Sequence, residues 1–158
     1  GSEMCIRDSC IPVLLYDPVK KAIAAVHSGW RGTSLGIAPQ AVQKLAARYG
    51  SDPHDILVAI GPGIGSCCFE THDDVPTAMA ERLGEGVQPF CQPLPNGKFS
   101  VDLKGILRWE LTQAGVPDEN IDTLPLCTAC HPELYWSHRK VGNTRGAQIA
   151  LLALEELT

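Results

Sequence analysis

The sequence predicts one mixed α/β or α+β domain, and three observations carry that prediction. Short apolar runs of strand length alternate along the chain with amphipathic windows of helical period. Turn signals rich in Gly, Pro and Asn separate them. The length, 158 residues, suits one hydrophobic core and is short for two.

The elements follow in order. Cys10 to Tyr16, "CIPVLLY", is an apolar run closed by the turn signal "DPVKK", and a second run, Ile23 to His27, comes directly after it. Two neighbouring strands are expected. In "APQAVQKLAARYG", Ala38, Val42, Leu45 and Ala46 recur at helical intervals, with Pro39 suited to a first turn and Gly50 to the stop. "DILVAIGPGIGSCCFE" reads as a buried strand from Ile56 to Ile60, a glycine-rich loop and a short strand from Cys67 to Glu70. "DDVPTAMAERLG" is a helix with acidic residues at its positive end. In "VQPFCQPLPNGKF" the Asn-Gly pair marks a tight turn. "DLKGILRWELTQAG" sets Leu103, Ile106, Leu107 and Leu111 on one face of a third helix, ended by Gly115. In the last stretch, Leu134 to His138 and Gln148 to Leu154 are expected as hairpin strands around "KVGNTRG", although the final run also has helical composition.

Composition narrows the partners. The formal net charge is -5 and no block of Lys or Arg occurs, which gives no electrostatic basis for binding nucleic acid or an anionic membrane. No apolar run approaches the ~20 residues that span a bilayer. Seven cysteines, an odd number, in a chain with its own apolar segments read as reduced thiols or metal ligands rather than a disulfide framework. A cytoplasmic setting is the corresponding expectation. The opening "GSEMCIRDS" lacks the apolar segment and cleavage pattern of a signal peptide and reads as a cloning or assembly remnant, leaving one domain over residues 10–158.

Several residues could carry chemistry. Cys10 and His27 sit at the edges of two adjacent strands, so pairing would bring a thiolate and an imidazole together, a ligand combination that suits zinc or copper. A buried thiol beside an unrelated histidine would look the same. Arg31, between Gly29 and Gly32, can grip a phosphate or carboxylate bidentately where the glycines allow close approach; the alternative is a turn in which Trp30 packs and Arg31 pairs with an acid. "GPGIGSCC" lacks the Lys-Ser/Thr ending of a phosphate loop. Cys127 and Cys130 form a C-x-x-C, but Cys67 and Cys68 are adjacent, a spacing wrong for a four-cysteine zinc site. His54, His72 and His131 lie in polar context and are read as solvated, whereas His138 and Arg139 end an apolar run.

The stretches "CIPVLLYD", "AVHSGWRGT", "AIGPGIGSCCFE", "CTAC" and "LYWSHRKVGNTRG" resemble, in order and spacing, the bacterial multicopper polyphenol oxidase (laccase-domain) family. Its members are also described as zinc-dependent purine nucleoside phosphorylases and as peptidoglycan editing factors. The resemblance runs from Cys10 nearly to the end. It implies a layered α/β sandwich with mixed β-sheets packed between helices. It also implies a metal, zinc or alternatively copper, held by Cys10, His27 and a histidine from an N-terminal segment. That histidine has no counterpart here and Ser9 stands where the family usually has aspartate, so an N-terminally truncated member is expected. Arg31 joins Cys10 and His27 as a catalytic residue, and Arg31, Gly32, Cys67, His138 and Arg139 are the implied substrate contacts.

The activities implied are phosphorolysis of purine nucleosides, methylthioadenosine included, and deamination of adenosine. Small-molecule partners, a purine nucleoside and phosphate, go with them. The alternatives are copper-dependent oxidation of phenols, editing of a peptidoglycan precursor, and a folded but inactive fragment. Five histidines, none in an H-x-H pair, cannot supply the imidazoles of a blue plus trinuclear copper set.

Overall fold

A computed structural model describes residues 10–144 and 146–155; the leader expected over residues 1–9 lies outside them. The elements run β1 (Ile11–Asp17), β2 (Ala22–Ser28), α1 (Trp30–Ser34), α2 (Ile37–Tyr49), β3 (Leu57–Ile60), β4 (Glu70–Thr71) and α3 (Asp74–Leu83). Then come β5 (Cys91–Pro93), β6 (Phe99–Val101), α4 (Leu103–Gln113), β7 (Ile121–Thr123) and α5 (His138–Val141). The mixed α/β expectation holds.

A mixed sheet has the order β2-β1-β3-β7, with β1 antiparallel to both β2 and β3, and β3 parallel to β7. Strand alternation sends Ile11, Val13 and Leu15 to one face, where they are fully buried together with Val58 and Ile60. Against them pack the apolar stripes of α2, through Ala38, Val42 and Leu45, and of α4, through Leu103, Ile106, Leu107 and Leu111. Burying each of these leucines and isoleucines contributes about 1.5–3 kcal/mol, so this layer anchors the domain. The opposite face carries Pro12, Leu14, Ala25, His27, Leu57 and Ala59, all half-buried or exposed.

The β1–β2 turn is closed by buried Asp17, whose Oδ1 accepts from the backbone N–H of Val19 at 2.8 Å and of Lys20 at 3.0 Å. A second sheet, order β4-β6-β5, is antiparallel. Its hairpin turns at the expected Asn96-Gly97, with Gly97 at φ +78°. Among the described residues, no helix is long and apolar enough to cross a membrane.

The structure differs from expectation in three places. The strand expected at Cys67 to Glu70 begins only at Glu70, because Cys68 and Phe69 donate their N–H groups back to Gly65 and close a turn. Leu134 to His138 is a turn leading into α5: the N–H groups of Leu134 and Tyr135 both bond the His131 carbonyl, which consumes the donors a ladder would need. Gln148 to Leu154 is irregular and mostly exposed, held instead by Gln148 Nε2 donating to the Trp136 carbonyl at 3.0 Å. Strand β7 and the short α1 carry too few residues to show a period.

Candidate active site and a neighbouring thiol cluster

The register that pairs Pro12 with His27 decides which side chains share a face. Cys10 precedes Pro12 by two residues, so Cys10, Pro12 and Leu14 share a face with Ala25 and His27. All five line one cleft of about 490 Å³. Its other walls are Val26, Pro62, Thr128, Trp136, His138 and residues 147–150. One thiol and two imidazoles therefore face a common space. His138 is oriented by a 3.0 Å hydrogen bond between Nε2 and Asn143 Oδ1.

After His27 the chain enters α1 through Gly29. Buried hydroxyls fix this corner: Ser28 Oγ and Thr33 Oγ1 lie 2.9 Å apart, and Thr33 Oγ1 donates to the Gly29 carbonyl. Arg31 is exposed on α1 and stacks on the Trp30 ring, its guanidinium carbon 4.7 Å from the centroid. Gly32 is closely packed: a Cβ there would meet Ile37 Cγ2 at 3.3 Å and Ser28 Oγ at 3.4 Å. The far end of α1 is held by Arg82, whose Nε donates to the Ser34 carbonyl at 2.6 Å and Nη2 to the Thr33 carbonyl at 2.8 Å. Arg82 also pairs with Glu110, whose side chain is only 1% exposed.

Of the five residues expected to touch substrate, His138 lines this cleft, whereas Arg31, Gly32, Cys67 and Arg139 do not. Arg139 spends its guanidinium on backbone, donating to the carbonyls of Cys68 at 2.9 Å and Glu70 at 3.1 Å. Cys67 belongs to a cluster with Cys68, Cys127 and Cys130, whose four sulfurs all lie within 4.8 Å of one another. That convergence corrects the spacing argument against a four-cysteine site: the cysteines are adjacent in sequence, yet the turn from Gly65 to Phe69 aims both at the C-x-x-C. The four thiols can hold a metal ion. Burial pushes the Cys127 thiol up, but N–H groups of Gly65, Cys130 and Ala129 directed at it bring it down to about 7. Burial, together with the hydrogen bond to Cys130, raises Cys67 to about 11. The buried Lys104 ammonium donates to the carbonyls of Leu124 and Leu126, both at 2.8 Å, and is close enough to Cys127 to interact with it electrostatically.

The family described as multi-copper polyphenol oxidoreductase laccase matches residues 4–155. The chain belongs to that family. Within it, purine nucleoside phosphorylase LACC1 of Mus musculus is 40% identical over 151 residues, 93% of this chain and 34% of that protein. Purine nucleoside phosphorylase YlmD of Geobacillus stearothermophilus is 36% identical over 154 residues, 97% of this chain and 56% of the relative. Adenosine deaminase RL5, from an unknown prokaryotic organism, is 33% identical over 137 residues, 87% of this chain and 52% of the relative. The crystal structure of the Bacillus licheniformis hypothetical protein YfiH superposes with a TM-score of 0.82 at 38% identity, covering 87% of this chain and 52% of that one. The chain thus spans between a third and somewhat over half of the laccase-family relatives it matches.

Sequence reasoning missed Pro62, Thr128, Trp136 and Gln148 as cleft residues. Trp136 carried a signal, a tryptophan beside the Ser-His-Arg triplet, but only the folded chain sets it across from His27.

Proposed function

We propose that the cleft is the active site of a zinc-dependent purine nucleoside phosphorylase that also deaminates adenosine and accepts methylthioadenosine. One observation carries this reading: Cys10 just ahead of β1, His27 on β2 and His138 on a distant helix face one cleft in a chain similar to purine nucleoside phosphorylases. The donor set fits the ion, since a thiol and imidazoles are ligands that catalytic zinc accepts while keeping a position open. Cys10 and His27 are the proposed protein ligands. The resemblance implies one further histidine from an N-terminal segment, and His138, whose imidazole also lines the cleft, is the proposed substrate contact. Bound there, zinc would supply Lewis acidity and lower the pKa of a bound water.

The chain's own residues do the rest. Trp136, half exposed on the cleft wall, offers a flat apolar surface on which a purine can stack. Gln148 and Thr128 supply amide and hydroxyl groups able to read the edge of a base or a ribose. Arg31 lies on the helix that follows His27 and, although it does not itself line the cleft, is the proposed contact for phosphate, because a guanidinium can grip that anion bidentately. In phosphorolysis a phosphate oxygen attacks the ribose carbon as the base leaves with a proton. In deamination water displaces the 6-amino group as ammonia.

The test is phosphate-dependent release of base from inosine and adenosine by the zinc-loaded protein, run on this chain and on one extended to the full length of its relatives. Turnover that requires phosphate and is lost in Cys10→Ser supports the reading; zinc-loaded protein of full length that leaves both nucleosides intact overturns it. The family's polyphenol oxidoreductase description motivates a second arm, oxygen uptake with a phenol by copper-loaded protein.

A further inference from the structure

We propose that Cys67, Cys68, Cys127 and Cys130 form a closed four-thiolate zinc site, separate from the cleft of Cys10 and His27, that braces the cleft wall. Zinc bound by four thiolates at about 2.3 Å has sulfur–sulfur edges of about 3.8 Å. Here the sulfurs all lie within 4.8 Å, with Cys68 and Cys130 at 3.4 Å and Cys67 and Cys130 at 3.5 Å, so the cluster needs only small rotations to enclose the ion. Four soft donors in this arrangement leave no position for water or substrate. The backbone is shaped for such a site. The N–H groups of Cys130 and His131 both fold back on the Cys127 carbonyl, and those of Cys68 and Phe69 on the Gly65 carbonyl, so each pair of cysteines sits on a tight turn. N–H groups of Gly65, Ala129 and Cys130 are directed at the Cys127 sulfur, where they would disperse thiolate charge. Gly65 is itself required small, because a Cβ there would lie 3.1 Å from Cys127 Cβ and 3.3 Å from Cys67 Sγ.

Binding is not a redox step. Zinc stays divalent, each thiol that ligates it releases one proton to solvent, and the resulting net double negative charge lies near the Lys104 ammonium. The consequence is mechanical. The ion would staple the loop after β3 to the segment after β7, the two stretches that send Pro62 and Thr128 into the cleft. Gly63 and Cys127 already form a parallel bridge between them, and Arg139 grips the carbonyls beyond Cys67.

The experiment uses the Cys10→Ser/His27→Ala variant, which empties the cleft of its proposed ligands, purified under reducing conditions without chelator. One zinc per chain is expected, with X-ray absorption finding four sulfur neighbours at about 2.3 Å. Adding Cys67→Ser and Cys130→Ser should take zinc from one per chain to none, whereas adding Cys91→Ser should leave it at one. Alkylation of the unmutated chain guards against a variant that merely misfolds: the four thiols should resist modification until a zinc chelator is added. Zinc-free protein with four modifiable thiols, a Cys67–Cys130 or Cys68–Cys130 disulfide, iron in place of zinc, or nitrogen and oxygen in the coordination shell would each overturn the proposal.

Discussion

The cleft and the thiol cluster carry metal-binding donors in opposite ways. In the cleft, Cys10 stands just ahead of β1 and His27 on its partner strand β2, on a face left open to a space large enough for a substrate. In the cluster, the donors come from two turns some sixty residues apart, and they close on one another with no gap between. An open arrangement suits chemistry, whereas a closed one suits support. The two regions also meet, because the segments that the cluster ties together form part of the cleft wall.

If the cleft depends on a rigid corner after His27, the largest effect belongs to Arg82, which clamps α1 by two carbonyls and neutralises Glu110. Arg82→Ala leaves a carboxylate buried without its partner, and such losses cost about 3–5 kcal/mol. Urea unfolding should register that drop, and Arg82→Ala/Glu110→Gln should recover much of it. A stability unchanged in the single variant would mean that the corner is held by the Ser28 and Thr33 hydroxyls alone.

Next in size is His27→Ala. His27 is exposed, so the substitution removes little packing. It should lower kcat/KM on inosine at least 10²-fold, about 2.7 kcal/mol, with the unfolding midpoint nearly unchanged. The cluster supplies the contrast: Cys130→Ser should lower thermal stability and loosen the cleft, with a smaller effect on turnover. Equal effects of both variants on both measurements would erase the distinction between open and closed sites. Smaller again is Trp136→Ala, expected to raise KM for the nucleoside about tenfold with kcat largely kept, if the indole serves as the stacking surface.

Strands and helices were legible because period and punctuation act locally: β1, β2, α2, α3 and α4 all form where the apolar spacing and the Gly and Pro signals set them. That Cys10 and His27 share a face was legible for the same reason, since a short hairpin has few registers and alternation then assigns the face, Pro12 opposite His27 and Cys10 just ahead of β1. The thiol cluster was not. Spacing rules assume two cysteines on each knuckle with residues between them, and they fail where a backbone turn points adjacent side chains at a common centre. Trp136 and Gln148 were missed because the last segment was read as strand, whereas Gln148 reaches back by its side-chain amide to the Trp136 carbonyl.

The hairpin offers the smallest but most selective test. Asp17 closes the turn at the end of β1 remote from Cys10, and its carboxylate secures the register on which the cleft rests. Burial acts to raise its pKa, yet the hydrogen bonds it accepts and the nearby Lys20 charge outweigh that and hold it below the ordinary carboxylate value. A depressed folded-state pKa means that the stabilisation is complete above the unfolded value of about 3.9 and is lost as pH falls through the folded one. Asp17→Asn should therefore cost about 1 kcal/mol at neutral pH and show a shallower loss of stability below about pH 4 than the parent chain. Zinc content of the thiol cluster at neutral pH should be the same in both proteins, because Asp17 acts on the sheet register alone. Loss of that zinc in Asp17→Asn would mean that hairpin and cluster fold as one unit, and that the closed site depends on the same register as the open one.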